Sequence, residues 1–222
     1  MGKIVLLYLL FFLIISCKKQ EVRNFDNLNS SEYFSISSEL KNLKNIEKNK
    51  INDSLYKITG TFNNYEITGF VDHENIRVGW WIATNKQSKE INAKLEYKFV
   101  DNKEFVNQYI LFKNGKIDST NSKFYWFDRN KNLIKYNFYI PNSSKSLEPE
   151  GKLNYHIYSN GTELKHLQCK CLQIENIFSC EFPYPKDIES KKIIIRGNFW
   201  ELFQMKNGNV GENEIYVLDT LK

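Results

Sequence analysis

The sequence predicts an all-β chain of antiparallel strands, and three observations predict it. Apolar and polar residues alternate over several segments, most cleanly where Ile91, Ala93, Leu95, Tyr97 and Phe99 interleave with Asn92, Lys94, Glu96 and Lys98. That period of two is the mark of a half-buried strand. Asn114-Gly115 and Asn160-Gly161 sit between such segments and supply the positive φ angles of a type I′ hairpin. The composition holds 27 Asn and 27 Lys against 2 Ala, which works against long helices because Ala is the best helix former and Asn a poor one. With 41% hydrophobic and 15% aromatic residues in 222, the chain can build a real core, and disorder throughout is excluded.

The elements follow in order. From Lys18 to about Ser31 the segment is polar and aperiodic, as a tether would be. Ser37 or Ser38 is positioned to cap a short helix carrying Leu40, Leu43 and Glu47 at helical spacing. The lysines at 41, 44, 48 and 50 read as a solvated face, with anionic lipid headgroups as the alternative partner. Strands are expected after Ile51. One hairpin joins Gln108–Lys113 to Lys116–Phe127, and another joins Leu153–Tyr158 to Glu163–Ile174. Ile134, Tyr136, Phe138 and Ile140 form a further alternating face, and Lys192–Arg196 and Glu214–Asp219 complete the series, with Asn207-Gly208 as a turn. The polar run Asp128–Asn132 divides this into a β unit at 51–127 and a second at 128–222. Some seven strands in the second suit an immunoglobulin-like sandwich, although the Cys…Trp…Cys spacing of true immunoglobulin domains is missing.

The N-terminus carries the most specific signal. Lys3 precedes an unbroken apolar run of 12 residues, Ile4 to Ile15, and Ser16-Cys17-Lys18-Lys19 follows. A helix of that length spans about 18 Å, short of the roughly 30 Å hydrocarbon core, so the run reads as a signal peptide. Ile14-Ile15-Ser16-Cys17 resembles the lipobox of bacterial lipoproteins. The resemblance implies cleavage before Cys17, removal of residues 1–16, and fatty acylation (diacylglyceryl and palmitate-type chains) that anchors residues 17–50 and the body to the bilayer. The alternative is an ordinary secretory signal. The Asn/Lys/Ile-rich chain after Ser-Cys-Lys-Lys looks like lipoproteins of the Bacteroidetes. Asp53-Ser54-Leu55, Asp118-Ser119-Thr120 and Asp219-Thr220-Leu221 resemble the O-glycosylation acceptor of that phylum, which makes Ser54, Ser119 and Thr220 candidate acceptors. Lysines rather than acidic residues follow Cys17, so an outer-membrane anchor facing the periplasm is expected rather than surface display. Gly79-Trp80-Trp81 and Phe112-Lys113-Asn114-Gly115-Lys116 resemble the glycine–aromatic and Tyr-x-Asn-Gly elements of MORN repeats, with an irregular period and no function drawn from them.

Three further cysteines remain. A two-residue turn at Glu175-Asn176 sets Cys171 opposite Cys180 at a non-hydrogen-bonded site, where a cross-strand disulfide fits. Export into an oxidising compartment favours that bond. A bulge would favour Cys169–Cys180 instead, and three reduced thiols are the third option. The Asn160-Gly161 hairpin sets His156 opposite Lys165, out of reach of a zinc sphere shared with Cys169. No metal site and no cofactor are expected.

No nucleophile elbow, metalloprotease, Walker A or dinucleotide motif is present, and no catalytic residue is assigned. A net charge of +5 spread along the chain is not a basic stripe, so nucleic acid is not expected as a partner. The functional-looking residues are aromatic. Trp81 lies between Gly79 and Ala83 on a strand whose other face is Val78, Trp80 and Ile82. Small neighbours either leave its indole open as a ligand platform or make room for a packed layer. Trp126 and Trp200 sit among apolar neighbours and are expected in the core. The expected function is a lipid-anchored, non-enzymatic binding module for an envelope protein or polymer. The alternatives are an immunity-type lipoprotein that neutralises a toxin and a glycan-acting hydrolase built on two opposed carboxylates.

Overall fold

The computed structural model describes residues 28, 30–130, 132–141, 147–184, 192–204 and 208–221. The signal run, Cys17 and the tether up to 27 lie outside them, as does Asn207. The described chain is all-β with antiparallel sheets. Its helical content is α1 (Ser31–Ser37) and a 3₁₀ turn at Leu40–Asn42.

The helix is shorter and earlier than the sequence suggested. Ser30, not Ser37 or Ser38, is its N-cap, accepting from the Tyr33 amide. Leu43 closes the turn, and the segment expected to continue the helix is strand β1 (Lys44–Asn52). Asn45 there takes a positive φ, a conformation Asn tolerates and a helix does not.

β1 opens a seven-stranded meander: β2 (Leu55–Phe62), β3 (Tyr65–Val71), β4 (Arg77–Asn85), β5 (Ile91–Val100), β6 (Lys103–Lys113) and the short β7 (Lys116–Ile117) follow in spatial order. Two-residue turns fix the register. Asn114-Gly115 closes β6 onto β7 with both residues at positive φ, pairing Lys113 with Lys116. One face of this first sheet is the apolar one: Ile58, Ile67, Ala83, Ala93, Leu95 and Leu111 are buried beneath Tyr33 and Phe34 of α1. Arg77 fixes the helix to the sheet. Its guanidinium pairs with Glu104 at 2.7 Å and donates to the Ser35 carbonyl, the Ser38 hydroxyl and the Tyr97 hydroxyl.

The remaining strands are β8 (Phe124–Arg129), β9 (Leu133–Tyr139), β10 (Leu147–Ser159), β11 (Thr162–Lys170), β12 (Leu172–Ile174), β13 (Ile177–Pro183), β14 (Ile193–Gln204) and β15 (Val210–Leu221). They make two four-stranded sheets, β11-β10-β14-β15 and β12-β13-β9-β8. The sheets share one core. Phe138 of β9 stacks on Phe199 of β14 at 4.1 Å, and Tyr155 of β10 stacks on Phe182 of β13 at 4.0 Å. Offset ring pairs of this kind add to the area they bury. β8, expected in the first unit because it precedes the polar run at 128–132, pairs with β9 across that run instead.

Candidate functional site

The residues singled out in the sequence do not converge. Ser54 and Ser119 lie on exposed turns, and Thr220 is exposed within β15. Cys17 lies outside the described residues. Trp81 has no exposed surface (0%) and is therefore no ligand platform. Its indole lies against Gly69 of β3, where a Cβ would come within 2.1 Å of the ring. Its Nε1 donates to the Phe70 carbonyl, and its ring meets Tyr97 edge-on at 6.3 Å. The small residues around it make room for the indole inside the core. The half-exposed tryptophan is its neighbour Trp80, on the opposite face with Phe70, Val78 and Ile82. Gly79 at positive φ marks a register shift there, so Gly79, Trp80 and Trp81 together face Gly69. Trp126, expected in the core, is exposed and packs on Phe124. Trp200 is half-buried beneath the Lys152 ammonium.

Cys171 and Cys180 are joined by a disulfide with Cα atoms 4.3 Å apart. The hairpin pairs Ile174 with Ile177, Gln173 with Phe178 and Leu172 with Ser179, so the next position outward is the bridged pair. Cys171 is also where the chain leaves one sheet and enters the other, splitting the expected single strand into β11 and β12. Cys169 is a free thiol near the Glu181 carbonyl, and burial pushes its pKa up. The histidine register differs by one residue from the hairpin count. Leu164 is bulged out between the Ile157–Lys165 and Tyr158–Glu163 pairs, so His156 faces His166, with rings parallel at 4.0 Å. Glu163 lies 3.1 Å from His156 Nδ1. Among the described residues, no group of three or more His, Cys, Asp or Glu side chains is placed to hold a metal ion. His73 is exposed.

What the structure does assemble is a polar cluster where the first sheet meets β15. The outward-pointing backbone of β15 is an open sheet edge, and side chains from the first sheet and the segment leading into β8 bind it. Asn107 Nδ2 donates to the Tyr216 carbonyl at 2.8 Å, while the Tyr216 amide donates to Asn107 Oδ1 at 2.7 Å. The Lys98 ammonium donates to the same carbonyl and Lys123 to that of Glu214. The Leu218 backbone bonds the Tyr125 hydroxyl. Asn107 thus reproduces with one amide the pair of bonds a neighbouring strand would make. Its other bond goes to Glu96, which also accepts from Gln108, and Gln108 in turn accepts from the Tyr125 amide of β8.

Asp219 closes the cluster. Tyr136 and Tyr125 donate to its two oxygens. Burial raises its pKa, opposed by those hydroxyls and by Lys98. Burial likewise lowers Lys98 and brings Lys123 down to about 8, in each case against a nearby carboxylate. Sequence inspection could not find this cluster, since its members are ordinary polar residues spread from Glu96 to Asp219. Every group in it is directed at backbone or at another member, so its chemistry is cohesion between sheets. A separate cavity of about 160 Å³, lined by Asp128, Arg129, Asn130, Leu133, Lys135 and Glu181, is below the roughly 300–1,000 Å³ of small-molecule sites.

No family model, no curated protein and no solved structure matches this chain.

Proposed function

We propose that the chain is a lipid-anchored lipoprotein of a bacterial envelope whose β body is a non-enzymatic binding module for a protein or envelope polymer. The carrying observation is Ile14-Ile15-Ser16-Cys17 at the end of a 12-residue apolar run. Acylation of Cys17 with several chains would anchor it stably where one chain would be marginal. The body begins soon afterwards, since Leu28 is already buried in the first core. Eleven residues of extended chain reach at most about 40 Å, which keeps the body close to the bilayer. The expected face is the periplasmic side of the outer membrane. The two sheets formed by β8–β15 read as an immunoglobulin-like sandwich, an architecture that presents loops and edges rather than a cleft. Exposure of Ser54, Ser119 and Thr220 suits their reading as O-glycan acceptors.

The anchor is tested by labelled palmitate incorporation and membrane fractionation of the wild type and Cys17→Ser. Loss of label and release from the membrane are expected in the variant, and a variant that stays membrane-bound would refute lipidation. Binding is tested by cross-linking the tagged chain in intact cells. Recovery of nothing beyond lipid and bulk porins would count against a binding module.

A further inference from the structure

The two flanks of the sandwich are treated differently. On one, β15 and β8 are both covered: β15 by Asn107, Lys98, Lys123 and Tyr125, and β8 by Gln108 and by the Tyr109–Lys123 bridge that precedes it. On the other, β11 and β12 are the outer strands of their sheets, joined directly at Cys171. Among the described residues β11 pairs only with β10, and eight of its nine residues are exposed. Four aliphatic side chains stand in solvent along this flank: Leu164 and Leu167 at 43%, Leu172 at 67% and Ile174 at 64%. A long exposed edge bearing apolar side chains is a template for another strand. β1, the outer strand of the first sheet, is also exposed, but two register shifts interrupt its pairing. β11 runs in unbroken register from Lys165 to Lys170.

We infer that the β11–β12 flank is the docking surface of the module and that its occupant is an extended polypeptide strand from another protein, with carboxylates between apolar residues. The inference rests on the reading of the chain as a binding module. Charge selects the occupant. Glu163, the one carboxylate on β11, is engaged by His156 and by the Tyr158 hydroxyl. Lys165 and Lys170 take part in no ion pair among the described residues, and although Glu150 lies near enough to feel the charge of Lys170, the edge keeps a net positive charge. Two copies of β11 side by side would bring four such lysines together, so pairing with a second copy is disfavoured. The added strand would extend the β11-β10-β14-β15 sheet to five, with its apolar side chains beside Leu167 and its carboxylates on the opposite face beside Lys170.

The test uses the full chain in detergent and two blocked nine-residue peptides, one alternating Val with Glu and one alternating Val with Lys. Hydrogen exchange read by mass spectrometry should slow at least tenfold over Thr162–Lys170 with the Glu peptide and stay unchanged with the Lys peptide. A chain carrying Lys165→Glu and Lys170→Glu, both exposed positions, should reverse that preference. Protection on β1 instead, equal protection by both peptides, or none on β11 would overturn the inference. So would β11 protection without peptide accompanied by doubling of the protein mass, which would assign the edge to a second copy. Envelope partners cross-linked at sites away from β11 would overturn it too, while the binding-module reading itself would stand.

Discussion

On the flank facing the first sheet, the backbone of β15 meets Asn107, Lys98, Lys123 and Tyr125, so its outward hydrogen-bonding groups at Glu214, Tyr216 and Leu218 are used within the chain. On the opposite flank β11 and β12 carry no such cover among the described residues, and the crossover between them is tied to β13 by the Cys171–Cys180 disulfide. One edge is held by another part of the fold and the other by a covalent bond. The difference matters because a covered edge is unavailable to partners, whereas a stapled edge stays ordered and accessible. A sheet edge needs order to act as a template, and a disulfide supplies it without occupying the hydrogen-bonding groups.

The largest effect should come from breaking the covered flank. Asn107→Ala leaves the Tyr216 amide without its partner and takes one donor each from the Tyr216 carbonyl, which keeps Lys98, and from Glu96, which keeps Gln108. A buried group left unsatisfied costs about 1–3 kcal/mol, so urea unfolding should show a loss of about 2–4 kcal/mol. A loss below about 1 kcal/mol would mean that water replaces Asn107 and that the flanks differ less than the hydrogen bonds imply. Next comes the stapled flank. Replacing Cys171 and Cys180 together by Ala opens a short loop, for which the chain-entropy model gives about 2–3 kcal/mol. Exchange at β11 and β12 should rise, with β15 unaffected until global unfolding.

The pH dependence distinguishes the flanks in a third way. Lys123 belongs to the covered one, and burial holds its pKa at about 8. An unfolded lysine titrates near 10.4. Between these values the unfolded state binds more protons than the folded one, so stability rises with pH across that window. The tyrosines act oppositely. Burial raises Tyr125 and Tyr136, and takes Tyr155 to about 12. Their stabilisation is full below about pH 10 and is lost as pH climbs through the folded values. The unfolding free energy from urea titration should therefore climb from pH 7.5 to about 10, by roughly 1–2 kcal/mol, and fall beyond it. Lys123→Met should remove most of the climb, leaving the smaller part due to Lys98, and keep the fall. A wild type with no climb would show that the Lys123 ammonium keeps its charge inside the cluster.

Strand identity was legible because alternation and Asn-Gly turns are local signals. Ile91–Phe99 and the Asn114-Gly115 and Asn160-Gly161 hairpins all appear as strands and turns. The Glu175-Asn176 turn likewise carries the register that joins Cys171 to Cys180. What failed was which face turns inward. Trp80 and Trp81 do lie on opposite faces, but period two cannot say which of them meets Gly69 on the neighbouring strand. Bulges were equally invisible: one at Leu164 moved His156 from Lys165 to His166. The cluster around Asn107 depends on long-range pairing, with partners 109 positions apart, and no spacing rule reaches that far.

The smallest effect on stability should accompany the largest effect on binding. Leu167 is 43% exposed on β11, so replacing it by Lys removes little buried area. Surface changes of this kind usually stay within about 0.5 kcal/mol. Urea midpoints should hardly move, and the disulfide should still form. The same substitution places one more charge where the added strand would lay its apolar side chains. Protection of β11 by the Val/Glu peptide should therefore fall, even though the edge becomes more basic and simple charge attraction would strengthen it. That opposition separates the two contributions. Stronger protection in the Leu167→Lys variant would show that charge alone recruits the strand and that the aliphatic side chain of the open edge plays no part.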